Sequence, residues 1–164
     1  MKEFWNERYS SEEFSYGTAP NEFFKNEIEK LSPGKILFPA EGEGRNSVFA
    51  AKLGWQVTAF DFSEAGREKA LDLAGRSGVT IDYQLVGYED FEAQPEYFDC
   101  LVLIFAHPPE GKRSEYYRKL IKYLRPGGSL ILEGFAKEQI NYSTGGPRNC
   151  GTYKVDRCYG CFDY

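Results

Sequence analysis

Two glycines and one aspartate have the types and the spacing of a nucleotide-binding site. Gly42 and Gly44 stand between an apolar run and a helix-like segment in FPAEGEGRNSVFAAKLGWQVTAFDFS, residues 38–63. Glycine at such a turn permits a tight bend and lets the backbone approach a ligand closely. Asp61 ends the next apolar run, nineteen residues after Gly42, where a carboxylate can accept hydrogen bonds from both hydroxyls of a ribose. Together these residues predict a cofactor that contains adenosine.

Two such cofactors compete for this loop. A dinucleotide-binding loop has a third glycine, and its helix N-terminus holds a pyrophosphate. Ser47 stands at that third position here, and Glu41 and Glu43 would face the negative charge of a pyrophosphate. S-adenosylmethionine has no phosphate, and its amino group and sulfonium are both cationic. The two acids therefore favour the methyl donor over a dinucleotide. The remaining alternative is a turn that binds no cofactor and whose acids are merely solvated.

Apolar runs alternate with helical stripes along the chain. The pattern predicts strands at 35–39, 55–60, 80–86, 98–105 and 129–133. It predicts helices from Thr18 to about Leu31, from about Asn46 to Leu53, and after the caps Ser63 and Ser114. We therefore expect an α/β fold with a doubly wound, mainly parallel sheet. Ligands bind such sheets beyond the carboxyl ends of the strands, which here precede the loops EGEGR, DFS, GYED and AHPPEG.

The length and the net charge of the chain limit the classes of protein to which it can belong. Its 164 residues fit one domain, and its net charge of −5 argues against non-specific binding to nucleic acid. No apolar run approaches the roughly 18–20 residues that span a bilayer. The N-terminus, MKEFWNERYSSEEF, lacks the apolar core of a signal peptide. We therefore expect a cytoplasmic protein with no membrane partner.

The sequence resembles the small class I S-adenosylmethionine-dependent methyltransferases, most closely the tellurite-resistance and thiopurine methyltransferase-like group. The collinear matches are FWNERYSSEEFSYGTAPNEF at 4–23, EGEGRNSVFAAKLGWQVTAFDFS at 41–63, LIFAHPP at 103–109, LRPGGSLILEGF at 124–135 and GGP at 145–147. The resemblance implies S-adenosylmethionine as methyl donor and S-adenosylhomocysteine as product. It also implies a small-molecule acceptor, with a soft sulfur, selenium or tellurium centre as the methylated atom.

The resemblance further implies which residues bind the cofactor. They are a lid of Trp5, Arg8, Tyr9, Tyr16 and Gly17; the loop Ala40, Glu41, Gly42, Glu43 and Gly44 along the methionine part; Asp61 at the ribose and Phe62 at the adenine; Tyr88, Glu89 and Asp90 at the adenine amino group; and Ile104, Phe105 and Ala106 at the sulfonium. Ordinary packing on the sheet is the alternative for each early aromatic residue, because residues 1–17 fit no single period.

The first loop departs from the family pattern, in which an acid and a glycine precede the two glycines. Phe38 and Ala40 occupy those positions here. We hypothesise that Glu41 supplies the missing carboxylate one residue later. His107, the single histidine, stands after the fourth strand as a candidate catalytic base. Its alternative is a loop-anchoring role, since a soft anionic nucleophile needs no base.

The C-terminal part departs further. Only 31 residues follow Glu133, and they show no counterpart of the helix and two strands that usually complete the family's sheet. We expect a methyltransferase domain at 1–148 and an irregular tail at 149–164, with free thiols favoured over a metal site at Cys150, Cys158 and Cys161. A fifth strand at the edge of the sheet could pair with a second copy, giving a homodimer. The alternative function is cofactor binding without turnover, because the missing strands often help to shape the acceptor pocket.

Overall fold

The computed structural model describes residues 2–109 and 111–135, which form one parallel sheet flanked by helices. The elements are α1 (Lys2–Tyr9), α2 (Glu22–Ile28), β1 (Lys35–Pro39), α3 (Arg45–Lys52), β2 (Gln56–Asp61), α4 (Glu64–Arg76), β3 (Asp82–Leu85), β4 (Phe98–Ile104), α5 (Arg113–Ile121) and β5 (Leu124–Glu133). The strand order is β3-β2-β1-β4-β5, and all neighbouring strands are parallel. The predicted doubly wound fold is confirmed, with its order reversing between β1 and β4.

Both faces of the sheet are buried, as expected for parallel strands that read as continuous apolar runs. Along β1, Ile36 and Phe38 join a core cluster with residues of α2, α3 and α4. Leu37, between them, joins a second cluster with α5 and with the connection between β3 and β4. Phe38 is completely buried, so the residue at the family's usual acid position belongs to the core.

The N-terminal part differs from the sequence prediction. Lys2–Tyr9 form α1, although no single period was visible there, and α1 packs against α4. The next helix begins at Glu22 rather than after Thr18. Asn21 is its N-cap, because the side-chain oxygen of Asn21 accepts a hydrogen bond from the backbone N–H of Phe24 at 2.8 Å.

Two differences concern the C-terminal half. Helix α5 begins at Arg113, after Lys112 and not after the predicted cap Ser114. The predicted RPGG turn lies inside β5, which starts at Leu124. Phe98 pairs with Leu124 while Cys100 pairs with Ser129, so the four residues between form a bulge.

Some predictions fall outside the described residues. They are the irregular tail at 149–164, the GGP at 145–147, and the state of Cys150, Cys158 and Cys161. Over residues 2–109 and 111–135, no helix combines the length and the apolar character needed to cross a membrane. The same residues contain no cluster of three or more side chains suited to a metal ion.

Candidate functional site

The glycine loop, residues 40–44, leaves β1 through left-handed backbone conformations. The φ angles are +51° at Ala40, +62° at Gly42 and +83° at Gly44. A Cβ on Gly42 would lie 2.6 Å from the hydroxyl of Tyr9, and one on Gly44 would lie 2.6 Å from the Cβ of Ala70. The loop therefore requires both glycines for its own packing, with or without a ligand. Ala40 shows why the family prefers glycine at that position, since an L-residue is strained there.

Asp61 brings the end of β2 to this loop. Its carboxylate is buried and accepts hydrogen bonds from the backbone N–H groups of Gly42 at 3.1 Å and Ser63 at 2.8 Å. Burial raises the pKa of Asp61, and these N–H groups oppose that shift. An ionised carboxylate can accept about four hydrogen bonds, so Asp61 retains capacity for the hydroxyls of a ribose. The geometry fits the predicted role.

Glu41 caps a helix. Its Oε1 accepts hydrogen bonds from the backbone N–H groups of Asn46 at 3.1 Å and Ser47 at 2.7 Å. Those groups belong to the first turn of α3, whose N-cap residue Gly44 has no side chain to cap them. Burial raises the pKa of Glu41 to about 7. The loop thus has a carboxylate near the place where the family has one, but this carboxylate binds the protein's own backbone.

Glu43 also has partners within the protein. Its carboxylate accepts hydrogen bonds from the backbone N–H of Ser15 and from the Lys69 ammonium, both at 2.8 Å. Glu43 is buried, with 5% of its surface exposed. Both acids of the loop are therefore partly satisfied before any cationic ligand arrives. Their attraction for the methyl donor is weaker than the sequence alone indicated.

The predicted lid residues lie around the glycine loop. Trp5 stacks on Tyr9, with ring centroids 5.3 Å apart. The Arg8 guanidinium lies 5.1 Å from the centre of the Tyr16 ring, which remains 46% exposed. Gly17 has a φ of +69° and is exposed. Trp5, Arg8, Tyr9 and Tyr16 thus contact one another beside the glycine loop, and the role of these residues as a lid stays a prediction.

The connection after β3 supplies a buried phenol. The Tyr88 ring stacks on Tyr116 at 5.4 Å and meets Phe60 edge-on at 5.6 Å. The Tyr88 hydroxyl is buried and has no hydrogen-bond partner among the described residues. Glu89 is exposed and accepts a hydrogen bond from the Tyr116 hydroxyl at 3.0 Å. Asp90 is exposed as well.

The end of β4 carries a strained residue and an aromatic group. Phe105 has a φ of +49°, and its N–H donates to the carbonyl of Glu133 at 2.8 Å. Its ring lies 4.7 Å from that of Phe135, on which the His107 imidazole stacks at 5.6 Å.

Burial and the neighbouring Arg113 lower the pKa of His107 to about 4. The imidazole is therefore neutral at pH 7 and a weak base. Ile104, the last residue of β4, is half-buried. Phe62, which follows Asp61, is half-buried as well.

Several polar contacts at the site were not predicted. The Tyr83 hydroxyl donates to the carbonyl of Gly42 at 2.7 Å. The Asn21 side chain donates to Glu133 at 2.7 Å, and the Asn21 N–H donates to Asn46 at 2.9 Å. Glu133 could have been found as the one acid that ends the apolar run SLILE. Tyr83 carried no such signal, because it reads as an ordinary core residue of a strand.

Comparison with known proteins decides the family. The profile of a family described as "Methyltransferase domain" matches residues 36–128, which is more than half of the chain and includes the glycine loop and Asp61. The chain belongs to the methyltransferase domain family. The predicted methyltransferase family is thereby confirmed.

Individual relatives agree with this family. The chain is 34% identical over 107 residues to a ubiquinone biosynthesis O-methyltransferase of Xanthomonas euvesicatoria pv. vesicatoria, covering 63% of this chain and 44% of the relative. It is 27% identical over 115 residues to the protein of the same name from Rickettsia akari, covering 70% and 45%. The chain spans less than half the length of these curated relatives.

A solved structure shares the fold. Phosphoethanolamine N-methyltransferase 1 of Haemonchus contortus, in complex with phosphoethanolamine and S-adenosylhomocysteine, superposes with a TM-score of 0.71. The alignment covers 94% of this chain and 36% of that chain, at 15% sequence identity. The likeness supports the Rossmann-like arrangement of the sheet. This chain thus contains the predicted sheet, the glycine loop and the acid that ends β2. The role of each site residue stays a prediction.

Proposed function

We propose that this methyltransferase domain binds S-adenosylmethionine at the glycine loop and transfers its methyl group to a small-molecule acceptor, releasing S-adenosylhomocysteine. The observation that carries this proposal is the Asp61 carboxylate, buried where β2 ends and hydrogen-bonded to the backbone of Gly42. It lies beside the point at which the strand order reverses, the usual ligand site of such sheets.

In this proposal each loop has one task. Asp61 accepts hydrogen bonds from the ribose, Phe62 packs on the adenine, and the connection at 88–90 lies at the adenine amino group. The loop at 40–44 contacts the methionine part, and the end of β4 at 104–106 adjoins the sulfonium. The bound cofactor supplies a methyl group on a positively charged sulfur, which is already activated for attack. The protein's contribution is then to position the acceptor in line and to exclude water.

The weak basicity of His107 bears on the acceptor. A general base works best when its pKa lies near the operating pH, and the pKa of His107 is lowered to about 4. We infer that the acceptor arrives as a nucleophile that needs no proton removed by His107. A soft sulfur, selenium or tellurium centre, as in the tellurite-resistance and thiopurine-like group, meets that requirement. The curated relatives are named O-methyltransferases, so a hydroxyl acceptor is the competing assignment.

An assay of S-adenosylhomocysteine production with thiol, selenol, tellurite and catechol acceptors tests this proposal. We expect turnover with a soft acceptor, and a change of less than about threefold in kcat for His107→Phe, where loss of a general base costs about 100-fold or more. Turnover of catechol alone, lost in His107→Phe, would contradict the soft-acceptor assignment. Cofactor binding with no turnover on any acceptor would support the rival function of binding without catalysis.

We further propose a cytoplasmic location, no nucleic-acid partner and a homodimer. The first two rest on the sequence and its net charge of −5. The dimer rests on β5, which lies at one edge of the sheet formed by the described residues. Sedimentation at two protein concentrations tests it, and a monomer at both would contradict it.

A further inference from the structure

Residues 10–17, here called the strap, connect α1 toward α2 and lie against the glycine loop and α4. Three hydrogen bonds hold the backbone of the strap. The N–H of Ser15 donates to Glu43 at 2.8 Å, the carbonyl of Glu13 accepts from the Lys69 ammonium at 2.7 Å, and the carbonyl of Tyr16 accepts from Arg45 at 3.2 Å. Because backbone groups make these bonds, they fix the path of the strap whatever its side chains are.

Two of the three bonds come from one ion pair. The Lys69 ammonium lies 2.8 Å from the Glu43 carboxylate, with the two side chains 16% and 4% exposed. Lys69 also lies 5.2 Å from the centre of the Phe14 ring, within reach of a cation–π contact. A pair this well buried behaves differently from a surface salt bridge, because removal of one partner leaves the other charge desolvated and unpaired.

We propose that Glu43 and Lys69 are positioning residues that hold the strap closed over the cofactor, in the site of the proposed function on which this inference rests. Glu43 lies between the two glycines of the loop, so its carboxylate links the position of the strap to the conformation of that loop. The two residues act through the strap, which retains a bound cofactor when it is closed.

The pair makes the strap and the cofactor thermodynamically coupled. A cofactor that contacts both the glycine loop and the strap stabilises the closed strap, and a closed strap raises the affinity for the cofactor by the same free energy. The resemblance to the family assigns the lid to aromatic side chains such as Trp5 and Tyr16. The structure adds a buried charge pair, on the loop and on α4, that binds the backbone of the strap at Glu13 and Ser15.

Limited proteolysis without cofactor tests the pair directly. Chymotrypsin cleaves after Phe14 and Tyr16, and its rate follows the population of the open strap when opening is fast. We expect Glu43→Gln and Lys69→Met to accelerate this cleavage by about tenfold or more, and Lys69→Arg to remain within about threefold of wild type. Lys30→Met, which breaks the Lys30–Glu27 pair at the C-terminal end of α2, is the matched control and should leave the rate unchanged.

The second measurement is the dissociation rate of S-adenosylhomocysteine by stopped-flow fluorescence. We expect Glu43→Gln and Lys69→Met to raise that rate by about tenfold, with Lys30→Met unchanged. Unchanged cleavage in both variants would overturn the pair's hold on the strap. Faster cleavage with an unchanged dissociation rate would overturn its effect on the cofactor. A wild-type protein that does not bind S-adenosylhomocysteine would overturn the proposed function and the coupling, while cleavage alone would still decide whether the pair holds the strap.

Discussion

Glu41 and Glu43 lie two positions apart in the glycine loop and bind different parts of the protein. Glu41 accepts hydrogen bonds from the first turn of α3, and Glu43 accepts them from the strap and from Lys69. From the sequence alone, both acids predicted an attraction for the cationic methyl donor. Their actual partners show that each first satisfies a structural need of the loop.

Glu41→Gln should remove a pH dependence of stability. Burial raises the pKa of Glu41 from 4.5 to about 7, so its favourable contribution to the free energy of unfolding is complete below about pH 4.5 and is lost as the pH rises through about 7. Glutamine does not ionise. We expect the stability of wild type relative to Glu41→Gln to fall by about 1–3 kcal/mol between pH 4.5 and 8, the smaller values allowing for the partial exposure of the residue.

Urea denaturation at those two pH values measures this difference, since the comparison cancels other titrating groups. An equal difference in the free energy of unfolding between wild type and Glu41→Gln at both pH values would contradict the raised pKa of Glu41. The same variant tests the hypothesis that Glu41 replaces the family's first acid. If Glu41 contributes to donor binding as hypothesised, S-adenosylmethionine binding weakens strongly in Glu41→Gln, and unchanged binding would sink that hypothesis.

Ala40→Gly should be nearly neutral for stability. Ala40 has a φ of +51°, so glycine relieves a strain of about 1 kcal/mol while adding a similar entropy to the unfolded chain. Ala50→Gly is the matched control, because Ala50 is buried within α3 and has no such strain to relieve. There we expect a loss of about 1 kcal/mol or more. Equal losses of stability in the two variants, measured by thermal unfolding, would contradict the backbone strain inferred at Ala40.

At the scale of elements, α3 and α4 approach each other closely beside the glycine loop. Gly44→Ala would place a methyl group 2.6 Å from the Cβ and 2.9 Å from the Cα of Ala70, at a residue with a φ of +83°. Since the neighbour is backbone and a short side chain, the helices must move apart. We expect a loss of about 2–4 kcal/mol in the free energy of unfolding.

Gly78→Ala is the control for this prediction. Gly78 also has a positive φ, +68°, but a Cβ there would meet nothing within 4 Å. It should show only the backbone cost, about 1 kcal/mol. Chemical denaturation of both variants separates the two effects, and similar losses would show that the helix contact at Gly44 is unimportant.

The sequence predicted elements wherever the local signal was strong. The first four strands lie within one or two residues of their predicted limits, whereas β5 begins five residues before its predicted start at 129. Ser63 caps α4 as expected, accepting a hydrogen bond from the Gly66 N–H at 3.1 Å. Helix α1 was missed because its short, polar sequence has little amphipathic pattern of its own and packs chiefly through Tyr9. The bulge in β5 could not be seen because it depends on the register against β4.

The site was predictable to a similar degree. The spacing of Gly42 and Asp61 predicted that both belong to one cofactor site, and the structure joins them by a hydrogen bond. The pair Glu43–Lys69 and the bond from Tyr83 to Gly42 were not foreseen. They join residues 26 and 41 positions apart, and only the packing of α4 and β3 around the loop brings them together.

At the scale of the whole molecule, the parallel sheet explains why residues distant in sequence form one site. The carboxyl ends of β1, β2 and β4 lie at the same edge of the sheet, on either side of the reversal in strand order. The glycine loop, Asp61 and Phe105 lie at or just beyond those ends. The family match across residues 36–128 covers these parts of the site, and the strap precedes it in the chain.

Calorimetric titration of S-adenosylhomocysteine into the wild-type protein and into Asp61→Asn is the most direct test of this cofactor site. We expect micromolar binding to wild type and binding about tenfold or more weaker to Asp61→Asn, because the variant loses charge-assisted hydrogen bonds to the ribose. Asp72→Asn, on the exposed face of α4, should bind like wild type. Absence of binding to wild type, or equal binding to a folded Asp61→Asn, would contradict the proposed cofactor site.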